Sequence, residues 1–283
     1  MQFTALKKFA CPVDDLPLQR TGDFLRCEKG HSFDFAKAGY CNLLLVQKKA
    51  TSNPGDNKEM VAARRRFLDS GYYAPIAEQV FSFICAEANL EKLRIVDAGC
   101  GEGYYLDYLS KQAMHNSQLT TLELAGIDIS KYAIQAAAKR NKNIAWLVAS
   151  NRKLPFSADS IDFILSMFGY PIWESFKTVQ PKHGKVLLVE PGADHLIELR
   201  NIIYPKVEKN AAPPLTSAEA AGFHLESEKF LCFKIDLKNQ IEIQDLLAMT
   251  PHAYRISADG AARLNYFNHL SLTVDIHFRL LSP

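Results

Sequence analysis

From Leu93 onward the chain alternates between short apolar runs and amphipathic stretches. Runs at 93–98, 123–128, 144–149, 161–167, 185–190, 229–237 and 270–280 have strand length, and segments of helical spacing lie between most of them, notably 103–113 and 131–140. Seven strands in this rhythm predict an α/β fold, a doubly wound Rossmann-like sheet. The last two runs are long enough for an antiparallel edge, with a helix over 239–249 between them. Upstream, Ile76, Val80, Phe83 and Ile84 share one helical face after Pro75. Met60, Ala63 and Phe67 share another, with Asp56 and Glu59 as a capping box and Gly71 as the stop. Residues 9–45 are rich in turn formers and lack such periodicity. The pattern divides the chain into a small module (1–45), a linker and helix (46–75) and a larger domain (76–283).

With 283 residues, 48% hydrophobic and 23% charged, the composition is that of an ordinary globular protein. No run of eighteen apolar residues is present and the first ten residues lack a signal-peptide core, so no membrane span and a cytoplasmic address are expected. Six cysteines do not suggest a disulfide scaffold. The net charge of +2 is uneven: residues 1–72 hold 12 Lys and Arg against 8 Asp and Glu. That excess is either chance or a face turned to a polyanion.

The strongest chemical signal is Ile95-Val-Asp97-Ala-Gly99-Cys-Gly101-Glu-Gly103-Tyr104. A strand ends in an acid, runs through alternating glycines and opens a helix. A dinucleotide fold more typically reads G-x-G-x-x-G and cradles a pyrophosphate. The alternating form resembles class I S-adenosylmethionine-dependent methyltransferases, whose loop passes under the amino acid and sugar of the cofactor. Asp97, Gly99, Gly101, Gly103 and Tyr104 are therefore expected at that cofactor. Asp128 ends the second strand, where a carboxylate can accept both ribose hydroxyls, with Ile129 beside it and Ser130 capping the next helix. Ser150, after the third strand, takes the place where the class holds the adenine.

In the N-terminal module, Cys11-x2-Asp14-x12-Cys27-x3-His31 is one substitution from a C-x2-C…C-x3-H zinc site. Two readings stand: one zinc on Cys11, Asp14, Cys27 and His31, or a metal-free module held by Phe24, Phe33, Phe35 and Tyr40. Cys41 is an alternative ligand.

Taken together, these stretches resemble the 23S rRNA (guanine-N1)-methyltransferase family, the RlmA group, over essentially the full length. The specific stretches are Cys27-x3-His31-x-Phe33-Asp34, Gly39-Tyr40-Cys41-Asn42-Leu-Leu44, Pro54-Gly-Asp56-x2-Glu59-Met60-x-x-Ala63-Arg64, Phe67-Leu-Asp69-x-Gly71-x-Tyr73-x-Pro75, Gly99-Cys-Gly-Glu-Gly-Tyr-Tyr105, Pro191-Gly192-x2-His195-Leu196 and Met249-Thr-Pro251-x-Ala253-x-Arg255. The resemblance implies a zinc-ribbon-like module that helps hold RNA, a class I catalytic domain, S-adenosylmethionine as methyl donor, a guanine N1 of 23S rRNA as acceptor, and a homodimer. It also implies that Tyr73, Gly101, Glu102 and His195 contact the cofactor; the alternative for His195 is capping or packing. Two departures stand out: Asp14 replaces the family's second zinc cysteine, and Phe168-Gly169-Tyr170-Pro171 replaces an expected aromatic-Ser/Ala-Pro-Cys turn. Other readings are a diverged methyltransferase for another RNA or a small molecule, and a non-catalytic cofactor-binding protein. Glu190, Asp194 and His195 are candidates for the base, and Tyr170 is expected either to stack on an extruded guanine or to shape a turn. Lys48, Lys49, Arg64, Arg65 and Arg66 crowd the junction of the two domains. One or two of those arginines are expected on RNA phosphate, with the rest solvated or paired with acids.

Overall fold

The structure is a computed structural model that describes residues 2–45, 54–87, 92–115, 121–209 and 212–283. Lys48, Lys49 and most of the expected linker lie outside the described residues. In chain order, β1 (Gln2–Ala5), β2 (Gln19–Thr21), β3 (Phe24–Arg26), β4 (Ser32–Asp34) and β5 (Tyr40–Asn42) precede α1 (Lys58–Asp69) and α2 (Ala74–Ala86). Then come β6 (Leu93–Ala98), α3 (Tyr104–His115), β7 (Thr121–Asp128), α4 (Lys131–Arg140), β8 (Ala145–Val148), β9 (Phe163–Met167), α5 (Trp173–Val179) and β10 (Lys185–Pro191). The chain closes with α6 (Ile197–Ile203), α7 (Thr216–Ala220), β11 (His224–Leu237), α8 (Gln240–Ala248), α9 (Ala258–Leu264) and β12 (Leu270–Ser282).

The seven expected strands are all present, in the order β11-β12-β10-β9-β6-β7-β8. Every residue of β9 is buried, as a central parallel strand covered on both faces requires. The last two strands form the expected antiparallel edge, β12 pairing with both β10 and β11. Two further strands come from the N-terminal segment. β5 adds beyond β8 with Tyr40 opposite Trp146, and β1 pairs with the first half of β7. Among the described residues, β2, β3 and β4 form a separate three-stranded sheet.

Alternation along the strands builds two apolar layers. On one face Phe67, Ile76, Val80, Ile84 and Leu106 pack with Ile95, Leu124, Phe163 and Leu165. On the other, Leu6, Phe9, Leu18 and Leu25 pack with Val96, Ile127, Leu147, Ile164 and Phe176. The N-terminal segment therefore shares a core with the sheet. α1 is capped one residue later than expected: the Asn57 side chain accepts from the Met60 N–H at 2.9 Å. Asp56 is drawn instead to Arg64. Among the described residues no helix is long and apolar enough to cross a membrane.

Candidate functional site

The C-terminal ends of β6, β7, β8, β9 and β10 form one rim, where open α/β sheets bind ligands. Gly99, Gly101 and Gly103 have φ of 99°, 54° and 84°, a region that side chains disfavour. A Cβ on Gly103 would lie 2.7 Å from the Trp146 ring, and one on Gly126 would collide with the same ring. These glycines let the loop lie flat over β7, where the Gly99 and Cys100 N–H groups both donate to the Ile127 carbonyl at 2.9 Å.

Asp97 is fully buried, and neither carboxylate oxygen has a hydrogen-bond partner. Burial, and then the neighbouring Asp128, push its carboxyl up to about 8. A partnerless buried acid is expensive to keep unless a cation arrives. Asp128 is arranged differently. One oxygen accepts the Gly101 N–H at 3.0 Å and the other the Ser130 N–H at 2.7 Å. Burial raises its pKa, and those two N–H groups oppose the rise. Two of its four lone-pair sites remain for a diol. Ile129 is exposed on the same rim. Ser130 caps α4 and donates to the Asp56 carbonyl at 2.6 Å, tying residues 54–57 to the rim.

After β8, Ser150 Oγ accepts the Arg152 N–H at 3.3 Å. Asn151, missed in the sequence, donates to the Ala98 carbonyl at 3.2 Å and lies 3.9 Å from where a Cβ on Gly99 would be. Tyr73, Phe168 and His195 form an aromatic wall, with ring centroids 6.4 Å apart on each side. The Asp275 N–H donates to His195 Nδ1 at 3.3 Å, which leaves Nε2–H to donate to the Tyr73 hydroxyl at 3.4 Å. Burial, with help from His252 and Arg200, holds the His195 pKa down to about 4, so the ring is neutral. Phe168 adopts φ 55° and is partly exposed at the mouth, and Tyr170 beside it is 87% exposed.

Other expected residues are engaged elsewhere. The Glu102 carboxylate accepts from Arg140 Nε at 2.7 Å, and Arg140 also reaches Asp69 at 2.8 Å. Tyr104 lies under the Arg140 guanidinium, 5.9 Å from ring centroid to Cζ. Glu190 is paired with buried Arg279 from β12. Asp194 meets Lys209 at 2.6 Å and keeps solvent access. Each of the three arginines of α1 has an acid partner: Arg64 with Asp56, Arg65 with Asp69 at 3.5 Å, and Arg66 with Asp245 at 2.5 Å. Two more residues were not foreseen at the rim. Arg64 places Nη1 3.5 Å from the Cβ position of Gly101. The buried Tyr105 hydroxyl has no partner.

In the N-terminal segment the ligand atoms of Cys11, Asp14, Cys27 and His31 all lie within 4.8 Å of one another. His31 Nδ1 is 3.7 Å from Cys11 Sγ, 3.4 Å from Cys27 Sγ and 3.0 Å from Asp14 Oδ2. A zinc tetrahedron with ordinary bond lengths has sulfur–nitrogen edges of about 3.5 Å, so the donor set fits that ion. Two tight turns present the ligands. Asp15 N–H donates to the Cys11 carbonyl with Asp15 at φ 63°, and Gly30 N–H donates to the Cys27 carbonyl with Gly30 at φ 88°. Cys41 is buried on β5 and leans on the Phe33 carbonyl at 3.6 Å, apart from this set.

Comparison with known proteins matches two parts of the chain. Residues 9–52 match the zinc-ribbon family described as "RlmA, N-terminal", and residues 95–183 match a "Methyltransferase domain". The chain is 31% identical over 266 residues to the 23S rRNA (guanine(748)-N(1))-methyltransferase of Streptomyces fradiae, covering 93% of this chain and 91% of the relative. It is 29% identical over 279 residues to YxjB of Bacillus subtilis (strain 168), provisionally named a 23S rRNA (guanine-N(1)-)-methyltransferase, with 95% and 94% of the two chains covered.

Proposed function

The chain belongs to the 23S rRNA (guanine-N(1)-)-methyltransferase family, and from that premise we propose that it transfers a methyl group from S-adenosylmethionine to N1 of a guanine in 23S ribosomal RNA. The observation that carries the cofactor half of this reading is Asp97, a buried acid without a partner at the rim of the sheet. Its carboxylate holds the ammonium of the cofactor's amino acid end. Asp128 takes the ribose hydroxyls with its spare lone pairs. Ser150 and Asn151 border the adenine, and Tyr73 with His195 walls the opposite side.

When bound, the cofactor supplies a methyl group on a sulfonium, displaced in line. The enzyme's main contribution is position, which is worth roughly 7–11 kcal/mol in a well-oriented pair. Tyr170, exposed beside Phe168, stacks on the extruded base. Guanine N1 must lose its proton as the new bond forms. Glu190 is committed to buried Arg279 and His195 Nδ1 to the Asp275 N–H; the Asp194 carboxylate, paired with Lys209 but open to solvent, takes it. One zinc on Cys11, Asp14, Cys27 and His31 shapes the N-terminal segment against the RNA.

Mass spectrometry of 23S rRNA from a strain lacking this protein tests the substrate. Loss of one N1-methylguanine, restored by the wild-type gene, is the expected result. Unaltered rRNA would remove the assignment.

A further inference from the structure

We propose that Arg64, with the Tyr105 hydroxyl, binds the carboxylate of the cofactor's amino acid end. This rests on the S-adenosylmethionine reading above and extends it to two residues outside that reading. An α-amino acid group is a zwitterion, so its site needs an acid for the ammonium and a cation for the carboxylate. Asp97 is the acid. The cation facing it must lie over the glycine loop, because that loop forms the floor.

Arg64 meets this requirement. It reaches from α1 across to Gly101, with Nη1 3.5 Å and Cδ 3.7 Å from the position of a Cβ there. Gly101 itself donates to Asp128, so the guanidinium stands above the backbone that joins the two rim acids. Any side chain at Gly101 would narrow that space. Asp56 and the Met249 carbonyl hold two of the guanidinium nitrogens, the latter at 3.3 Å. A guanidinium has five N–H donors, so others remain for a ligand. These two partners, one before α1 and one after α8, hold different nitrogens of the fork.

Tyr105 supplies the second observation. Its ring is packed in the core, but its hydroxyl is buried with no partner. Tyr105 is the second residue of α3, two positions after Gly103, so it follows directly on the glycine loop that Arg64 overhangs. A buried phenol without a partner costs stability in the empty protein and is satisfied by an incoming carboxylate. It stands in the first turn of α3, where the helix dipole also favours negative charge. Pairing with Asp56 and Met249 holds the Arg64 guanidinium in one place, as a clamp for a planar carboxylate requires.

Calorimetry with two ligands decides the matter: S-adenosylmethionine and its decarboxylated analogue, which keeps the sulfonium and the ammonium. The wild-type chain should favour the intact cofactor. Arg64→Gln should weaken S-adenosylmethionine by on the order of tenfold and leave the analogue within about twofold, since the lost bond is charge-assisted. Tyr105→Phe removes one unpartnered oxygen, so it should fold at least as stably and lower the preference severalfold. Two outcomes overturn the proposal while leaving the cofactor reading intact: equal weakening of both ligands in Arg64→Gln, or an unchanged preference in both variants. A wild-type chain that binds neither ligand overturns the cofactor reading itself, and the proposal with it.

Discussion

The N-terminal knuckle and the glycine-loop rim both gather acids for a cation, but they hold them in opposite ways. In the knuckle, Asp14 contacts His31 at 3.0 Å and Cys27 at 3.7 Å, and two tight turns keep the four ligands together. Rim residue Asp97 touches no donor, while its neighbour Asp128 is tied down by two backbone N–H groups. The knuckle suits an ion that stays, because its ligands satisfy one another only when they converge on a point. The rim suits a molecule that comes and goes, because a buried unpaired acid gains most from a transient partner. A site built to keep a metal and one built to exchange a cofactor thus differ in side-chain geometry.

Removing the metal should give the largest effect. Cys11 and Cys27 belong to the same apolar layer as Phe9, Phe156 and Ile127. Loss of zinc should therefore loosen the whole sheet and not a detachable bead. An ion present at a thousandfold its dissociation constant contributes about 4 kcal/mol, which in a chain of this size corresponds to a Tm shift on the order of 10 °C. Scanning calorimetry with a chelator should show one transition moving down. A new low-temperature peak beside an unmoved main one would separate the two regions energetically. Asp14→Cys should slow zinc loss to chelator, since thiolate is the better zinc ligand.

Asp97→Asn sharpens the other side of the comparison, with a smaller effect. It should weaken S-adenosylmethionine by roughly ten- to hundredfold, the size of a lost charge-assisted contact. Stability of the empty chain should hold or rise, because the uncompensated acid is gone. The pH dependence has a definite sign. The Asp97 carboxyl is raised to about 8 when folded, above its usual carboxylate value. The native state thus binds more protons than the unfolded chain, and stability should fall as pH rises from about 4 toward 8. Cofactor affinity should move the other way, growing as Asp97 ionises. Asp97→Asn should flatten both slopes in a pH series of melts and titrations; slopes that persist would assign them to another group.

What the sequence disclosed follows the same physics. The central strands were legible because a buried parallel sheet writes nearly continuous apolar runs such as Phe163–Met167, broken only by Ser166. Asp97 and Asp128 were legible because each ends such a run. β1 and β5 were not: four and three residues carry little periodicity, and their partners lie more than 100 residues away. The pairing of Glu190 with Arg279 spans 89 positions and has no local signature. Asn57 took the cap from Asp56 because Arg64 and Ser130 hold the Asp56 residue at the rim. Tyr105 has no sequence signal of its own: its ring is buried, and the unpartnered hydroxyl marks it only in the structure.

The smallest effect concerns the arginines of α1, which the sequence offered as an RNA contact. Arg65 faces Asp69 one turn on, at 3.5 Å, with both side chains well exposed. Such a pair contributes about 0–0.5 kcal/mol, so Arg65→Ala should barely move the Tm. A guanidinium already matched to a carboxylate releases few counterions when RNA binds. The slope of log affinity against log salt should therefore stay constant in Arg65→Ala, whereas each true phosphate contact removed from single-stranded RNA lowers it by about 0.7. Arg26 and Lys29 are exposed beside the knuckle and have no acid partner among the described ion pairs. Neutralising those two should lower the slope while leaving S-adenosylmethionine affinity unchanged. If Arg65→Ala lowers the slope and the pair at the knuckle does not, the RNA backbone runs along α1, and the two regions divide the work differently from the charge pairing seen here.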